Sequence, residues 1–320
     1  MAYLNEHRRH ALAMMGATLL AAGLPVAAQA QGARELRIGF QKYGTLTIVK
    51  GRGTLEKRLA EKNVTVKWAE FPAGPVLLEG LNVGSIDFGT VGEAPPIFAQ
   101  AAGANLVYVG HEPPSPKTEA IVVPKGSTLR TLADLRGKKV AVNKGANAHY
   151  LLVKALEKAG IAYTDVQVLY LAPADARAAF ERGAIDAWSI WDPFLAAAEK
   201  QLGARVLADG TGLVSNHQFY LASRPYAEKQ ADILAIVLDE IGRVDEWGQA
   251  HPAEVAAILA RQTGLDLPVV ELAASRYSYG VKRLSPEVIK QQQAIADTFT
   301  RLKLIPTSIA VKDAQLASRP

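Results

Sequence analysis

From residue 36 onward the chain alternates short apolar runs with longer stretches of helical period. Residues 36–40 read as a strand and 46–62 as a helix. Val64, Val66, Trp68 and Phe71 carry a second strand over 64–71, followed by a helix over 75–83 that Gly84 stops. A short strand at 86–89 and a helix at 95–102 complete the series. The pattern then returns, with strands at 139–142, 166–171 and 185–188 and helices at 147–159, 174–182 and 193–202. Strand and helix in alternation predict an α/β fold with mostly parallel sheets flanked by helices. The last hundred residues are chiefly amphipathic helix.

The two halves correspond residue by residue. Phe71-Pro72-Ala73 answers Ala172-Pro173-Ala174, and Gly84-Ser85-Ile86-Asp87 answers Gly183-Ala184-Ile185-Asp186. Glu93 before Ala94-Pro95 answers Asp192 before Pro193, and Gln41-Lys42 answers Asn143-Lys144. Matches in one order identify a pseudo-repeat, hence two similar lobes. Open α/β sheets bind ligands beyond the carboxyl ends of their strands, so lobes that face each other share a cleft. Helix N-termini there carry unpaired N–H groups and partial positive charge, an anion site without a cation. The turns 41–45, 72–75, 90–93 and 143–147 supply those N-termini, with Gly44, Gly74, Gly92 and Gly145 allowing close backbone approach.

Composition narrows the chemistry. The 320 residues contain no cysteine, which excludes a disulfide scaffold, Cys-ligated zinc, Fe–S clusters and thiol catalysis. With 49% hydrophobic and 21% charged residues the chain is not a disordered polymer. The net charge of +5 reads as ordinary solubility charge, so no nucleic-acid partner is expected. Arg8-Arg9, an apolar run over 11–22 and Ala28-Gln29-Ala30 form a secretory signal over residues 1–30, too short to span a bilayer. Cleavage there removes Glu6, Arg8 and Arg9 and lowers the balance by one.

Signs of catalysis are sparse. His7, His10, His111, His149, His217 and His251 show no metal-ligand spacing, and no G-x-S-x-G elbow, phosphate loop or dinucleotide fingerprint occurs. No catalytic residue, metal or cofactor is therefore expected. Glu93 and Asp192 could form an acid/base pair, but each adjoins a Pro-started helix, where capping is the better account. His149, on the first turn of a cleft-facing helix, either donates to an anion or packs. Trp188 belongs to a strand core, while Trp191 could wall the cleft.

Several segments resemble the aliphatic sulfonate-binding proteins of bacterial ABC importers. They are residues 38–42, 70–75, 81–89, 93–103, 143–145, 173–180 and 190–193, and the likeness runs from about Leu36 to about Ile309. The resemblance implies a two-lobed periplasmic binding protein fold of type II, with crossings near 118–122 and 219–223. Lobe 1 then comprises 31–118 plus 223–320, and lobe 2 comprises 119–222. It implies that Gln41 and the Gly92 and Gly145 turns hold a sulfonate, and that Trp191 and its neighbours shape the tail pocket. The candidate ligand-binding residues are Gln41, Gly74, Thr90, Gly92, Glu93, Gly145, Ala146, Asn147, His149, Trp191 and Asp192. Also implied are a periplasmic location, a monomer, and an ABC permease with its ATPase as partners.

Hydroxyl residues are frequent in that family where this chain has Val91 and Ala146, which leaves more of the task to backbone N–H groups and Gln41. The segment after Ile309 matches poorly. Taurine or nitrate is the alternative ligand, and taurine's ammonium would need Glu93 or Asp192 in the cleft. The related thiamine-pyrimidine synthases depend on a Cys-rich motif that is absent here, and a regulator would bring a helix-turn-helix in place of the export segment.

Overall fold

The computed structural model describes residues 34–316. The signal expected over 1–30 lies outside them. The first half builds β1 (Arg34–Phe40), α1 (Gly44–Arg52), α2 (Thr54–Ala60), β2 (Val64–Glu70), α3 (Gly74–Asn82), β3 (Phe88–Gly92), α4 (Pro95–Ala101) and β4 (Leu106–His111). The second half repeats the plan with β5 (Glu119–Val123), β6 (Lys139–Val142), α5 (Asn147–Lys158), β7 (Gln167–Tyr170), α6 (Pro173–Glu181), β8 (Ala187–Trp191), α7 (Phe194–Leu202) and β9 (Arg205–Asp209). Then come β10 (Gln218–Ser223), α8 (Arg224–Lys229), α9 (Ala231–Ala250), α10 (Pro252–Thr263), α11 (Leu267–Ser275) and α12 (Pro286–Arg301).

The strands form two five-stranded sheets, ordered β2-β1-β3-β10-β4 and β7-β6-β8-β5-β9. In each, three parallel strands are followed by one antiparallel strand that comes directly after a crossing between the lobes, β10 in the first sheet and β5 in the second. This is the two-lobed α/β arrangement the repeat predicts. Residues 218–222, expected in the second lobe, instead form β10 of the first sheet, because their backbone pairs with β3 and β4.

Two further expectations are corrected. The helix predicted over 46–62 is two helices, broken where Gly53 turns left-handed at φ 63°. The strands predicted at 86–89 and 185–188 begin later, at Phe88 and Ala187. The cause is the aspartate of each repeat. Asp87 accepts from Arg37 N at 2.9 Å and returns its own N–H to Arg37 O at 2.8 Å. Asp186 accepts from Lys139 N at 2.8 Å and donates to Lys139 O at 2.9 Å. The G-x-I-D signature thus pins the first strand of its own repeat, at mid-strand Arg37 in β1 and at the first residue, Lys139, in β6, and the third strand forms beyond it.

Each sheet is covered on both faces. Trp188, Leu151 and Phe180 fill the core of the second lobe. In the first lobe α1, α9 and α10 pack on one face, and α3, α4 and α12 on the other. The segment after Ile309 docks on this second face: Val311 and Ala314 are buried, and Arg224 donates to Asp313 O at 2.6 Å. Helix α11 touches both lobes. Val270 joins the first-lobe core, while Val269 and Ala273 pack on Ala196 and Ala197 of α7. No helix among the described residues is long and apolar enough to cross a membrane.

Candidate ligand-binding site

A small cavity lies between the lobes where the two crossings meet. Of the residues expected there, it brings together Gln41, Gly74, Gly92, Ala146, Asn147, Trp191 and Asp192. Helices α1, α3 and α5 all start at it. First-turn N–H groups have no acceptor inside a helix, and those of Gly44, Gly74, Asn147 and Ala148 find none elsewhere among the described residues. No Lys or Arg lines the cavity. Lys42, in the first turn, points away to Glu70 at 3.5 Å. The positive end of this site is therefore built from backbone dipoles of both lobes.

The lobes are closed on one another. Asn147 of α5 reaches the first lobe, where its Oδ1 accepts from Ala94 N at 3.3 Å, and its Nδ2 donates to Asn216 Oδ1 in the second crossing. Asn216 takes a left-handed backbone, φ 51°, which asparagine tolerates better than most residues. It donates onward to Ser115 O at 3.1 Å and Thr118 Oγ1 at 2.8 Å in the first crossing. Gly92 is where Asn147 lands: a Cβ there would lie 1.8 Å from Asn147 Nδ2. Gly145 similarly meets the Phe98 ring across the interface, 3.1 Å from a Cβ position.

Four expected residues stand outside the cavity. Thr90 is buried behind it, its carbonyl accepting from Gln41 Nε2 at 3.2 Å and its hydroxyl donating to Phe219 O at 3.2 Å. Gly145 spends its N–H on His149 Nδ1 at 3.2 Å, so it has none to offer an anion. His149 is fully buried among Phe98, Tyr170 and Phe299, with Nε2 2.7 Å from Tyr163 Oη. Burial, with the Lys144 charge nearby, holds its pKa down to about 3, so the ring is neutral. Of its two readings, packing is the one the structure shows. Glu93 faces away, with Oε2 accepting from His217 N at 3.1 Å and Oε1 left without a partner. It does not cap α4. That helix begins with Pro95-Pro96, which have no N–H, and Ala94 N is taken by Asn147. The Gly92 turn thus offers closeness and a wall, with no helix-terminal donor.

Asp192 is not the N-cap expected, since α7 starts at Phe194 with Pro193 as its N-cap; it holds the first turn from one residue earlier, Oδ1 accepting from Ala196 N at 2.9 Å. It also lies 3.4 Å from Arg276, whose other nitrogen sits 2.5 Å from Glu199. Burial pushes the Asp192 carboxyl up to about 7 against the pull of Arg276. Trp191, 8% exposed, ends β8 and meets Phe194 edge-on. Tyr43, Pro95, Thr118, Asn216 and Gln218 also line the cavity and were missed. Tyr43 Oη donates to Gln218 Oε1 at 2.5 Å, joining the first turn to β10. Its place in the 41–45 turn was the available signal. Thr118, Asn216 and Gln218 border the crossings, whose contribution to the site only the folded chain reveals.

Two lobes of like topology, two crossings and a closed polar cavity between them define a solute-binding protein of the periplasmic type. A family model described as NMT1/THI5 like matches residues 60–255. The chain is 48% identical over 279 residues, 87% of each chain, to an aliphatic sulfonates-binding protein of Escherichia coli strain K12. Among solved structures, the alkanesulfonate-binding protein SsuA of Xanthomonas axonopodis pv. citri, bound to MOPS, is 45% identical with a TM-score of 0.84, over 88% of this chain and 98% of that one. The periplasmic aliphatic sulphonate binding protein SsuA of Escherichia coli is 46% identical with a TM-score of 0.80, over 90% and 95%. This chain belongs to the aliphatic sulfonate-binding proteins within the NMT1/THI5-like family.

Proposed function

We propose that this protein captures an aliphatic sulfonate between its lobes, in the periplasm, and hands it in the closed state to an ABC permease and its ATPase. The observation that carries this reading is the convergence of the α1, α3 and α5 N-termini on a cavity with no cationic side chain. A sulfonate stays ionised at every physiological pH and presents acceptor oxygens only. Charge-assisted N–H donors suit it, at roughly twice the strength of neutral hydrogen bonds. Gln41, Gly74, Asn147 and Tyr43 are the residues we assign to the head group, with Trp191 as an apolar wall. No chemical step follows capture; release of an altered product on incubation with an alkanesulfonate would overturn that.

Taurine is disfavoured by Asp192. It is the ionisable carboxyl that lines the cavity, and Ala196 N and Arg276 already occupy it. Calorimetric titration with butanesulfonate, taurine, nitrate and sulfate tests the assignment. Butanesulfonate is expected to bind at least ~10-fold more tightly than the others, about 1.4 kcal/mol. Tightest binding of nitrate or taurine would replace the reading.

A further inference from the structure

Helix α5 meets the first lobe through an aromatic cluster with a histidine at its centre. The His149 ring lies 6.0 Å from that of Phe98 on α4 and 5.4 Å from that of Phe299 on α12. Tyr150 packs on Phe299 as well, and Val153 joins the same first-lobe core. The remaining aromatic cover comes from the second lobe itself, with Tyr163 and Tyr170 at 5.8 and 5.5 Å. Part of the imidazole's shelter therefore belongs to the opposite lobe and leaves with it when the lobes part. The hydrogen bonds fix the charge of the ring. Gly145 N donates to Nδ1 at 3.2 Å, so that nitrogen carries no proton. The proton of the neutral ring is then on Nε2, which donates to Tyr163 Oη at 2.7 Å, and Tyr163 Oη lies 3.0 Å from Tyr170 Oη. An imidazolium has two N–H groups and no acceptor. It would set one of them against the Gly145 N–H and loosen the turn that starts α5. No carboxylate among the described residues bonds to the ring to offset that. Lys144, which sits over the Tyr170 ring, opposes a second positive charge. The other charges on the surrounding elements are engaged elsewhere. Helix α4 carries none, Arg301 and Lys154 hold Glu157, Asp297 accepts from Gln293, and Asp165 holds Arg136.

We propose that His149 makes closure, and with it capture, dependent on pH: the lobes close on the neutral ring, and acid favours the open, releasing state. The inference rests on capture by closure, as proposed above. His149 is a positioning residue, since it touches the Gly145 turn and the first lobe rather than the cavity. The sign follows from the two states. In the closed state burial and Lys144 hold the ring neutral down to about 3. With Phe98 and Phe299 withdrawn, it returns toward its ordinary value of 6.5. Between those values the open state holds a proton that the closed state rejects, so affinity declines as pH falls below 6.5. Glu93 and Asp192, both raised to about 7, titrate in an overlapping range. The effect of His149 is therefore the difference between wild type and a variant changed only at 149.

The test is calorimetric titration with butanesulfonate at pH 8 and pH 5, for wild type, His149→Asn and His149→Phe. Asparagine can accept from Gly145 N and cannot be protonated; phenylalanine fills the cluster but leaves that N–H without an acceptor. At pH 8, His149→Asn is expected to bind within about fivefold of wild type, having lost the bond to Tyr163. From pH 8 to pH 5, wild type is expected to lose at least ~10-fold more affinity than His149→Asn. His149→Phe is expected to bind more weakly than His149→Asn at pH 8, while sharing its response to pH. A histidine that only packs would shift affinity by the same factor at both pH values. Nitrogen-15 spectra of the histidines in wild type give a reading that needs no variant to fold. His149 is expected to titrate with a midpoint of about 6 without ligand and to stay neutral, protonated at Nε2, at pH 5 with it. Equal pH responses of wild type and His149→Asn, or a ring that stays neutral at pH 5 in the ligand-free protein, overturn the proposal. Failure of butanesulfonate to bind overturns the sulfonate reading instead, and whichever of taurine, nitrate or sulfate binds then serves as the probe. Binding of none of the four overturns both.

Discussion

Glu93 sits at the end of β3 with 1% of its surface exposed, one oxygen on His217 N and the other on nothing. Burial raises its pKa from 4.5 to about 7. The sign follows directly. Between those values the folded chain holds a proton that the unfolded chain has lost, so stability is greatest below 4.5 and declines as pH rises through 7. The decline amounts to about 3 kcal/mol at 1.36 kcal/mol per unit. Glu119, whose oxygens are likewise buried and unpartnered, is raised by burial and by Glu93, and contributes in the same direction. Glu93→Gln is expected to reduce the loss of stability between pH 5 and pH 8 by about 2.5 kcal/mol, read from urea unfolding at both. A variant that declines as steeply as wild type would show that the carboxyl ionises freely inside the fold. The sequence marked Glu93 by its place before a proline-started helix, but not which way it points. The same limit held for His149 and Gly145. Turn composition identifies where a backbone can approach a ligand; it does not show that a nearby imidazole has already taken the N–H.

At the scale of elements, the paired G-x-I-D segments show what the repeat is for. Each aspartate exchanges two backbone hydrogen bonds with the first strand of its own lobe. Asp87 additionally holds the Arg37 guanidinium, at 2.6 and 2.9 Å. Asp186 has no such partner among its hydrogen bonds. Replacing either by Ala leaves a backbone N–H without its carboxylate. Asp186→Ala is expected to cost about 1–2 kcal/mol, and Asp87→Ala up to about 1 kcal/mol more, since it also removes the ion pair of the part-exposed Arg37 guanidinium, which keeps Gly84 O. Chemical denaturation of the two variants checks the order, and equal losses would mean that Arg37 adds nothing. Most helices and strands were legible because periodicity reports burial directly. Their boundaries were less so. Gly53 reads as a tolerable residue inside a helix until its left-handed conformation is seen. β10 could not be assigned to a lobe from its own residues, since its partners β3 and β4 lie more than a hundred positions earlier.

The whole molecule is organised around closure. Two crossings run side by side, with Ser115 N on Ser215 O at 3.1 Å and Gly210 N on Pro116 O at 3.0 Å, and α11 adds a third link between the lobes. Closure brings Asn147 onto Gly92 so tightly that a single methyl would collide with it. That contact exists only between lobes, so Gly92→Ala should leave each lobe folded and block their approach. Without ligand, its unfolding midpoint is expected to stay close to that of wild type. Affinity for butanesulfonate is expected to fall at least ~100-fold, about 3 kcal/mol, because the donors of α5 no longer reach those of α1 and α3. Small-angle scattering should show wild type compacting on addition of ligand while Gly92→Ala keeps its radius. Asn147→Gly added to Gly92→Ala removes the colliding side chain and is expected to restore compaction, though not the bond to Asn216. If Gly92→Ala binds and compacts like wild type, closure does not depend on this contact, and the ligand must be held in a more open state than the one described here.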